Sequence, residues 1–250
     1  MKKIFILIIV LFLTGCTNQS VDYDNYLELT RVYPHDKNSF TEGLFFHDNK
    51  MYETVGLYGK SKIYKDIDIK TGNPRKEEKL DNDIFAEGSV ILNDILYVLT
   101  YKEHKILTFN PKTLEKLKIY DYDKEGWGLT TDGKYLIASD GTQNIYFMDE
   151  KLKIVKKISV HDDKKEISNI NELEYIDGNI WANVWKENIV LIINANNGKV
   201  IKKIYFTKLI NNNLKNKKID VLNGIAYNKN KIYITGKYYP YVFEFKIKNK

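Results

Sequence analysis

Along most of the chain, apolar and polar residues come in short blocks. Runs rich in Ile, Val, Tyr and Phe, such as Lys50-Met51-Tyr52-Glu53-Thr54, Ile95-Leu96-Tyr97-Val98-Leu99-Thr100 and Lys231-Ile232-Tyr233-Ile234-Thr235, are separated by Asp-Asn, Asn-Asp, Asp-Gly and Asn-Gly pairs. Blocks of five or six β-favouring residues bounded by such dipeptides read as strands joined by tight turns. No stretch keeps a helical period over eleven or more residues. Four prolines occur, and none cuts a central strand. The pattern predicts an all-β fold.

Stacking the blocks reveals a repeat. Each unit has a Gly-containing or small polar entry strand, a tight turn, an apolar strand, and a third strand ending in a phrase like Asp68-Ile69-Lys70-Thr71-Gly72. Phe109-Asn110-Pro111-Lys112-Thr113, Met148-Asp149-Glu150-Lys151 and Ile193-Asn194-Ala195-Asn196-Asn197-Gly198 are its counterparts. Aligned this way, Glu42, Glu87, Trp127, Glu172 and Asn223 share one position, at intervals of 45, 40, 45 and 51 residues. Units of about 40–45 residues with several strands each are the mark of propeller blades. Five units predict a five-bladed β-propeller; a β-sandwich would give no reason to repeat the phrase.

The N-terminal end departs from this pattern. Lys2 and Lys3 precede an unbroken apolar run from Ile4 to Leu13, followed by Leu13-Thr14-Gly15-Cys16. A basic start, a short apolar core and small residues before a cleavage point predict a secretory signal, and the run is short for a membrane span. The residues around Cys16, the sole cysteine, are similar to the lipobox of bacterial lipoproteins. The expected organisation is a signal peptide over 1–15, a lipid-anchored polar tether over 16–26 with the lipid on Cys16, and the propeller over 27–250. The protein would be exported and anchored to the cell envelope rather than span it.

Composition adds exclusions. The net charge of +6 includes Lys2 and Lys3, so the mature chain carries about +4. Without an arginine-rich stripe, nucleic-acid binding is not indicated. With one cysteine, no disulfide forms within the chain, and stability must come from burial. The four histidines show no zinc-ligand spacing.

In a propeller the innermost strands line the central channel. The five aligned positions therefore converge, and they hold three carboxylates, an indole and an amide. A second set, 13 or 14 residues on, contains Gly56, Tyr101, Asp140 or Gly141, Trp185 and Lys237. Together they predict an aromatic-walled pocket with a few polar groups, the usual form of a small-ligand site. Read singly, Trp127 and Trp185 suit packed core indoles, Glu87 a solvent-facing strand residue and Lys237 a surface lysine; their shared register favours the pocket.

Ten phrases in order sharpen this expectation. They are Tyr33-Pro34-His35-Asp36, Phe40-Thr41-Glu42-Gly43-Leu44, the stretch Glu53 to Ser61, Phe85-Ala86-Glu87-Gly88, Leu99-Thr100-Tyr101, Gly126-Trp127-Gly128-Leu129-Thr130, Ser139-Asp140-Gly141-Thr142, Asn171-Glu172-Leu173-Glu174-Tyr175, Ala182-Asn183-Val184-Trp185, and Leu222-Asn223-Gly224-Ile225-Ala226 with Thr235-Gly236-Lys237. Over roughly residues 31 to 245 the chain resembles the glutaminyl-peptide cyclotransferases of the plant and bacterial type. The resemblance implies a five-bladed propeller that converts N-terminal glutamine of peptides or proteins to pyroglutamate and releases ammonia. It implies Glu87 as the proton-transferring carboxylate, with Lys237 and Asn171 as groups for the developing oxyanion. Phe40, Glu42, Phe85, Tyr101, Trp127 and Trp185 would bind the substrate. No cofactor is implied beyond a structural calcium with unassigned ligands, and a monomer is expected. His35 is expected to be structural.

Two departures stand out: the family usually carries Gln at the place of Glu42 and Trp at that of Tyr101, and Tyr239 likewise replaces a Trp. Two other readings remain open at this level. One is a metal-dependent, lactonase-type propeller hydrolase, for which Glu42, Glu87, Glu172 and Asn223 could imitate a ligand set. The other is a non-enzymatic propeller that binds partners at the envelope. For the Asn171-Glu172 phrase, the resemblance favours Asn171, whereas the repeat alignment selects Glu172.

Overall fold

The turn dipeptides adopt the conformations their chemistry allows. Asp48 and Asn49, Asn93 and Asp94, and Lys229 and Asn230 all have φ between 48° and 62°, and Asp177 is followed by Gly178 at 81°. Two consecutive left-handed residues form the turn whose twist matches paired strands. These turns join the first and second strands of four of the five blades.

The computed structural model describes residues 21–23, 26–163 and 165–248. It contains five antiparallel blades arranged as a propeller, four of them four-stranded and the fifth extended by a short edge strand, with a two-stranded ribbon of His161–Asp162 and Lys165–Glu166 beside them. Blade 1 comprises Thr41–His47, Lys50–Val55, Lys62–Asp68 and Asn73–Lys79. Blade 2 comprises Ala86–Leu92, Ile95–Thr100, Lys105–Phe109 and Lys116–Asp121. Blade 3 runs over Leu129–Thr131, Leu136–Ser139, Asn144–Met148 and Ile154–Ser159. Blade 4 runs over Ile170–Ile176, Asn179–Val184, Ile189–Asn194 and Val200–Tyr205. Blade 5 takes Leu222–Asn228, Lys231–Gly236 and Tyr241–Ile247 from the C-terminal end and Leu27–Pro34 from the N-terminal end.

Burial explains the apolar blocks. Middle strands are covered on both faces by neighbouring blades, so they read as near-continuous apolar runs. In blade 2, Leu96 and Val98 pack against Phe45, Tyr52 and Ile63 of blade 1. The alternate residues Tyr97 and Leu99 pack against Leu129, Leu136 and Met148 of blade 3. Each such side chain, fully buried, stabilises the fold by about 1.5–3 kcal/mol. The outermost strand Lys116–Asp121 is mostly exposed and carries its lysines there.

Three features differ from expectation. Val21–Tyr23 falls in the stretch assigned to a polar tether, yet it pairs as an edge strand with Leu27–Glu28-Leu29. Tyr26 also lies against Trp181, with ring centroids 6.2 Å apart. One short helix, Thr207–Asn213, links blades 4 and 5 and buries Leu209; seven residues are too few to show a helical period. Closure of blade 5 by an N-terminal strand joins residues more than 200 positions apart. Cys16 and the signal segment lie outside the described residues.

His35 follows the closing strand and ties it in. One ring nitrogen, Nδ1, is 2.7 Å from the Tyr239 carbonyl oxygen, and Nε2 is 3.2 Å from the Glu53 carboxylate. Thr41 donates its hydroxyl to the same carboxylate at 2.7 Å. Burial lowers the imidazole pKa, but the Glu53 charge and these hydrogen bonds outweigh it and raise it. The ring thus joins blade 5 to blade 1 as a cation with both N–H groups donating.

Candidate active site

The site begins with a backbone irregularity. In four blades the first strand slips register at its channel end, between Thr41 and Gly43, Ala86 and Ser89, Ile170 and Leu173, and Leu222 and Ile225. An extra residue at such a bulge twists the strand and re-aims a side chain. The residues carried there are Glu42, Glu87, Asn171 and Asn223. Trp127 occupies the corresponding place in blade 3, where its carbonyl accepts the Gly88 N–H at 2.7 Å.

This corrects the repeat alignment by one residue in blade 4. Glu172 is the counterpart not of Glu42 but of Gly43, Gly88, Gly128 and Gly224, where neighbouring first strands touch. A side chain at Gly128 would meet the Asn171 carbonyl and the Glu172 backbone. Glu172 reaches across the channel instead: its carboxylate accepts the N–H groups of Leu44 at 3.2 Å and Ile225 at 2.8 Å.

At the bulged end lies a cavity of about 360 Å³. All nine residues expected to bind substrate or act on it line this space: Phe40, Glu42, Phe85, Glu87, Tyr101, Trp127, Asn171, Trp185 and Lys237. Phe40 and Phe85 stand two residues before Glu42 and Glu87, so strand alternation sends them to the same side. The walls are edge-to-face aromatic pairs: Phe40 with Phe85 at 6.2 Å, and Trp127 with Trp185 at 5.7 Å. Phe85 also contacts Tyr101 at 5.6 Å. The second-set position is glycine in blade 1 because a Cβ on Gly56 would enter the Phe85 ring, and Gly141 gives way to Trp127 in the same manner. Asp140 does not line the cavity; it accepts hydrogen bonds from Tyr146 and Thr142.

Sequence reasoning missed Lys186, Asp220 and Val221, which complete the wall. Val221 precedes Asn223 by two, as Phe40 precedes Glu42, so the same alternation could have found it. Asn223 itself is set back from the cavity. Its Nδ2 donates to the Thr41 carbonyl at 2.9 Å and to Glu42 Oε2 at 3.3 Å, holding that carboxylate in place.

The polar groups form one linked set. Lys237 Nζ donates to Glu42 Oε1 at 2.6 Å and sits 4.3 Å from the Phe40 ring centre. Glu42 and Glu87 line the same cavity close enough for each to shift the titration of the other. Burial raises the pKa of both carboxyls. At Glu42 the Lys237 charge works against that rise; at Glu87 the Glu42 charge adds to it. The rise is therefore the greater at Glu87, whereas at Glu42 the Lys237 ammonium offsets part of it. The Asn171 Oδ1 atom is buried without a hydrogen-bond partner. An orphaned acceptor in a cavity wall costs about 1–3 kcal/mol and is a place for a ligand donor.

Deeper in the channel, Glu172 and Glu174 alternate onto the same face of their strand. Glu174 accepts the Tyr227 N–H at 2.8 Å and the Thr130 hydroxyl at 3.2 Å. These carboxylates already serve backbone and hydroxyl donors. Among the described residues no group of three or more His, Cys, Asp or Glu side chains is placed to hold a metal.

Burial raises Glu174 to about 8 against an ordinary 4.5. A carboxyl raised on folding contributes stability that is fully present below the unfolded pKa and declines until the folded pKa is passed. The Glu174→Gln variant removes that loss. Its melting temperature should rise relative to the parent from pH 4.5 to about 8 and then hold a constant lead. A flat difference across that window in paired thermal melts would show that Glu174 is ionised throughout.

Comparison with known proteins places this geometry. The chain is 38% identical over 231 residues to the glutaminyl-peptide cyclotransferase of Arabidopsis thaliana, covering 90% of this chain and 72% of that protein. The crystal structure of Myxococcus xanthus glutaminyl cyclase superposes with a TM-score of 0.80 at 31% identity, over 88% of this chain and 96% of that one. The WD40 β-propeller domain of Doa1 shares the fold alone, with a TM-score of 0.51 at 12% identity over 82% of this chain and 63% of that one. The family model for glutamine cyclotransferase matches residues 6–247, and the chain belongs to that family.

Proposed function

We propose that this protein is a glutaminyl-peptide cyclotransferase, converting N-terminal glutamine of peptides or proteins to pyroglutamate with release of ammonia. The observation that carries the reading is a buried carboxyl whose pKa burial raises, Glu87, in an aromatic cavity shared with Glu42, Lys237 and Asn171. At about 360 Å³ the cavity is at the small end of ligand sites, which suits one terminal residue.

In the reaction the substrate's α-amine attacks its own γ-carboxamide carbon. Both groups belong to one residue, so the protein's task is to fold the side chain into the closing conformer and move protons. The rings of Phe40, Phe85, Tyr101, Trp127 and Trp185 pack around the side-chain methylenes and exclude water. As the amine adds, the carboxamide oxygen gains negative charge, which the Lys237 ammonium and the Asn171 side-chain N–H stabilise as donors. Glu87 delivers a proton to the departing nitrogen, turning a poor leaving group into ammonia. The metal-dependent hydrolase reading is not favoured, because Glu42 and Glu172 are committed to Lys237, Asn223 and backbone N–H groups. The family match also disfavours a non-enzymatic binding module.

Purified protein should release ammonia from a peptide beginning with Gln and not from one beginning with Asn, whose shorter chain cannot close the five-membered lactam. Ammonia from neither peptide would overturn the assignment.

The proposed site of action is the bacterial cell envelope, on its periplasmic or extracellular face. Lys2-Lys3, the apolar run to Leu13 and Leu13-Thr14-Gly15-Cys16 support export followed by acylation of Cys16. Among the described residues no helix is long and apolar enough to cross a membrane.

A further inference from the structure

Cyclisation moves two protons between the same two nitrogens. The attacking nitrogen enters as an ammonium with three hydrogens and ends as a lactam N–H with one. The leaving nitrogen enters with two hydrogens and departs as ammonium with four. A single carboxylate must make both transfers in turn. This chain places two carboxylates in the cavity, Glu42 and Glu87, 1% and 6% exposed. Glu42 is fixed on both oxygens, by Lys237 Nζ at 2.6 Å and Asn223 Nδ2 at 3.3 Å. Its charge is thus compensated and its position set, while the neighbouring carboxyl is left to carry a proton.

We propose that Glu42 is a second catalytic carboxylate, working with Glu87 as a proton-sharing pair that relays both protons within one turnover. The proposal rests on the cyclotransferase reading above. Ionised Glu42 takes the first proton from the α-ammonium. The freed amine adds to the carboxamide carbon, and the carbonyl π pair moves to oxygen. Protonated Glu87 gives its proton to the carboxamide nitrogen, the C–N bond breaks, and the oxygen pair re-forms the carbonyl. Ionised Glu87 then takes the second proton from the ring nitrogen, and the departing ammonia removes the Glu42 proton as ammonium. The pair ends as it began, with one proton between two carboxylates, and no proton is drawn from water. The titratable groups facing the pair are Lys237, Asp220, Glu103, Glu172 and Tyr58, with Lys186 in the cavity wall.

The test is the pH dependence of kcat for the full chain and its Glu42→Gln variant, with a Gln-peptide and ammonia as readout. The pair works only while it holds one proton, so the parent should give a bell. In the variant Glu87 must start ionised and act alone. Its kcat should rise with pH to a plateau, the alkaline fall should vanish, and kcat at neutral pH should drop at least about tenfold. A variant that keeps the bell and changes only KM overturns the proposal, leaving Glu42 a binding group. A parent that releases no ammonia overturns the cyclotransferase reading instead. A second measurement does not depend on how the variant folds: carbon-13 NMR of labelled glutamate in the parent. Two coupled titration steps support the pair, and ordinary, independent titration of both carboxyls overturns it.

Discussion

Replacing Glu87 by glutamine should lower kcat for a Gln-peptide by roughly 10²–10⁴-fold, with KM little changed. Glutamine has the same shape, so the aromatic walls and the Glu42–Lys237 pair stay in place. What disappears is the proton. The departing nitrogen would leave as an amide anion or draw its proton from water, which the cavity excludes. Because the group acts on the transition state and not on the resting substrate, the loss falls on kcat. Steady-state ammonia release with a thermal melt on the same sample separates this from misfolding. The melting temperature should hold or rise, since a carboxyl whose pKa is raised by burial costs stability above its unfolded pKa and glutamine does not titrate. A variant within threefold of the parent in kcat would remove Glu87 from the chemistry and move its role to Glu42.

The Gly128→Ala variant should lose about 3 kcal/mol of stability, at the upper end for overpacking. For a domain of this size that lowers the melting temperature by roughly 6–12 °C. The reason is that backbone, not side chain, surrounds the position. A methyl group there would enter the Asn171 carbonyl on one side and press on the Glu172 Cα on the other. Neither can rotate away as a side-chain tip could. The strain would also reach the site. The Gly128 N–H donates to Ser139 Oγ at 2.7 Å, and that hydroxyl donates to the Asn171 carbonyl at 2.7 Å. Pushing blades 3 and 4 apart there shifts Trp127 and Asn171 together, so KM for the Gln-peptide should rise along with the thermal shift. A melt within 1 °C of the parent would mean that the blades separate freely at the channel.

How much of this could be read from the chain divides along a physical line. Whatever depends on a residue and its near neighbours was open to inspection. Asp-Asn and Asn-Asp pairs tolerate left-handed backbone, so the hairpins followed. Alternation sent Phe40 with Glu42 and Phe85 with Glu87 to one side of a strand. The repeated phrase set the blade count, and with the family motifs it picked out nine residues that line one cavity.

What depends on distant segments meeting was decided only in three dimensions. The bulge that puts Asn171 at the site and sends Glu172 across the channel is a register relation between strands, invisible to an alignment that counts residues along one of them. Closure of blade 5 by Leu27–Pro34, and the latch of His35 on Tyr239 and Glu53, bring the two ends of the chain together. The sequence by itself determined that two glutamates, an asparagine and a lysine would meet among aromatic rings. What sets the two carboxyls apart was decided by the tertiary structure: burial raises the pKa of both, and Lys237, 195 residues from Glu42, lies against one of them.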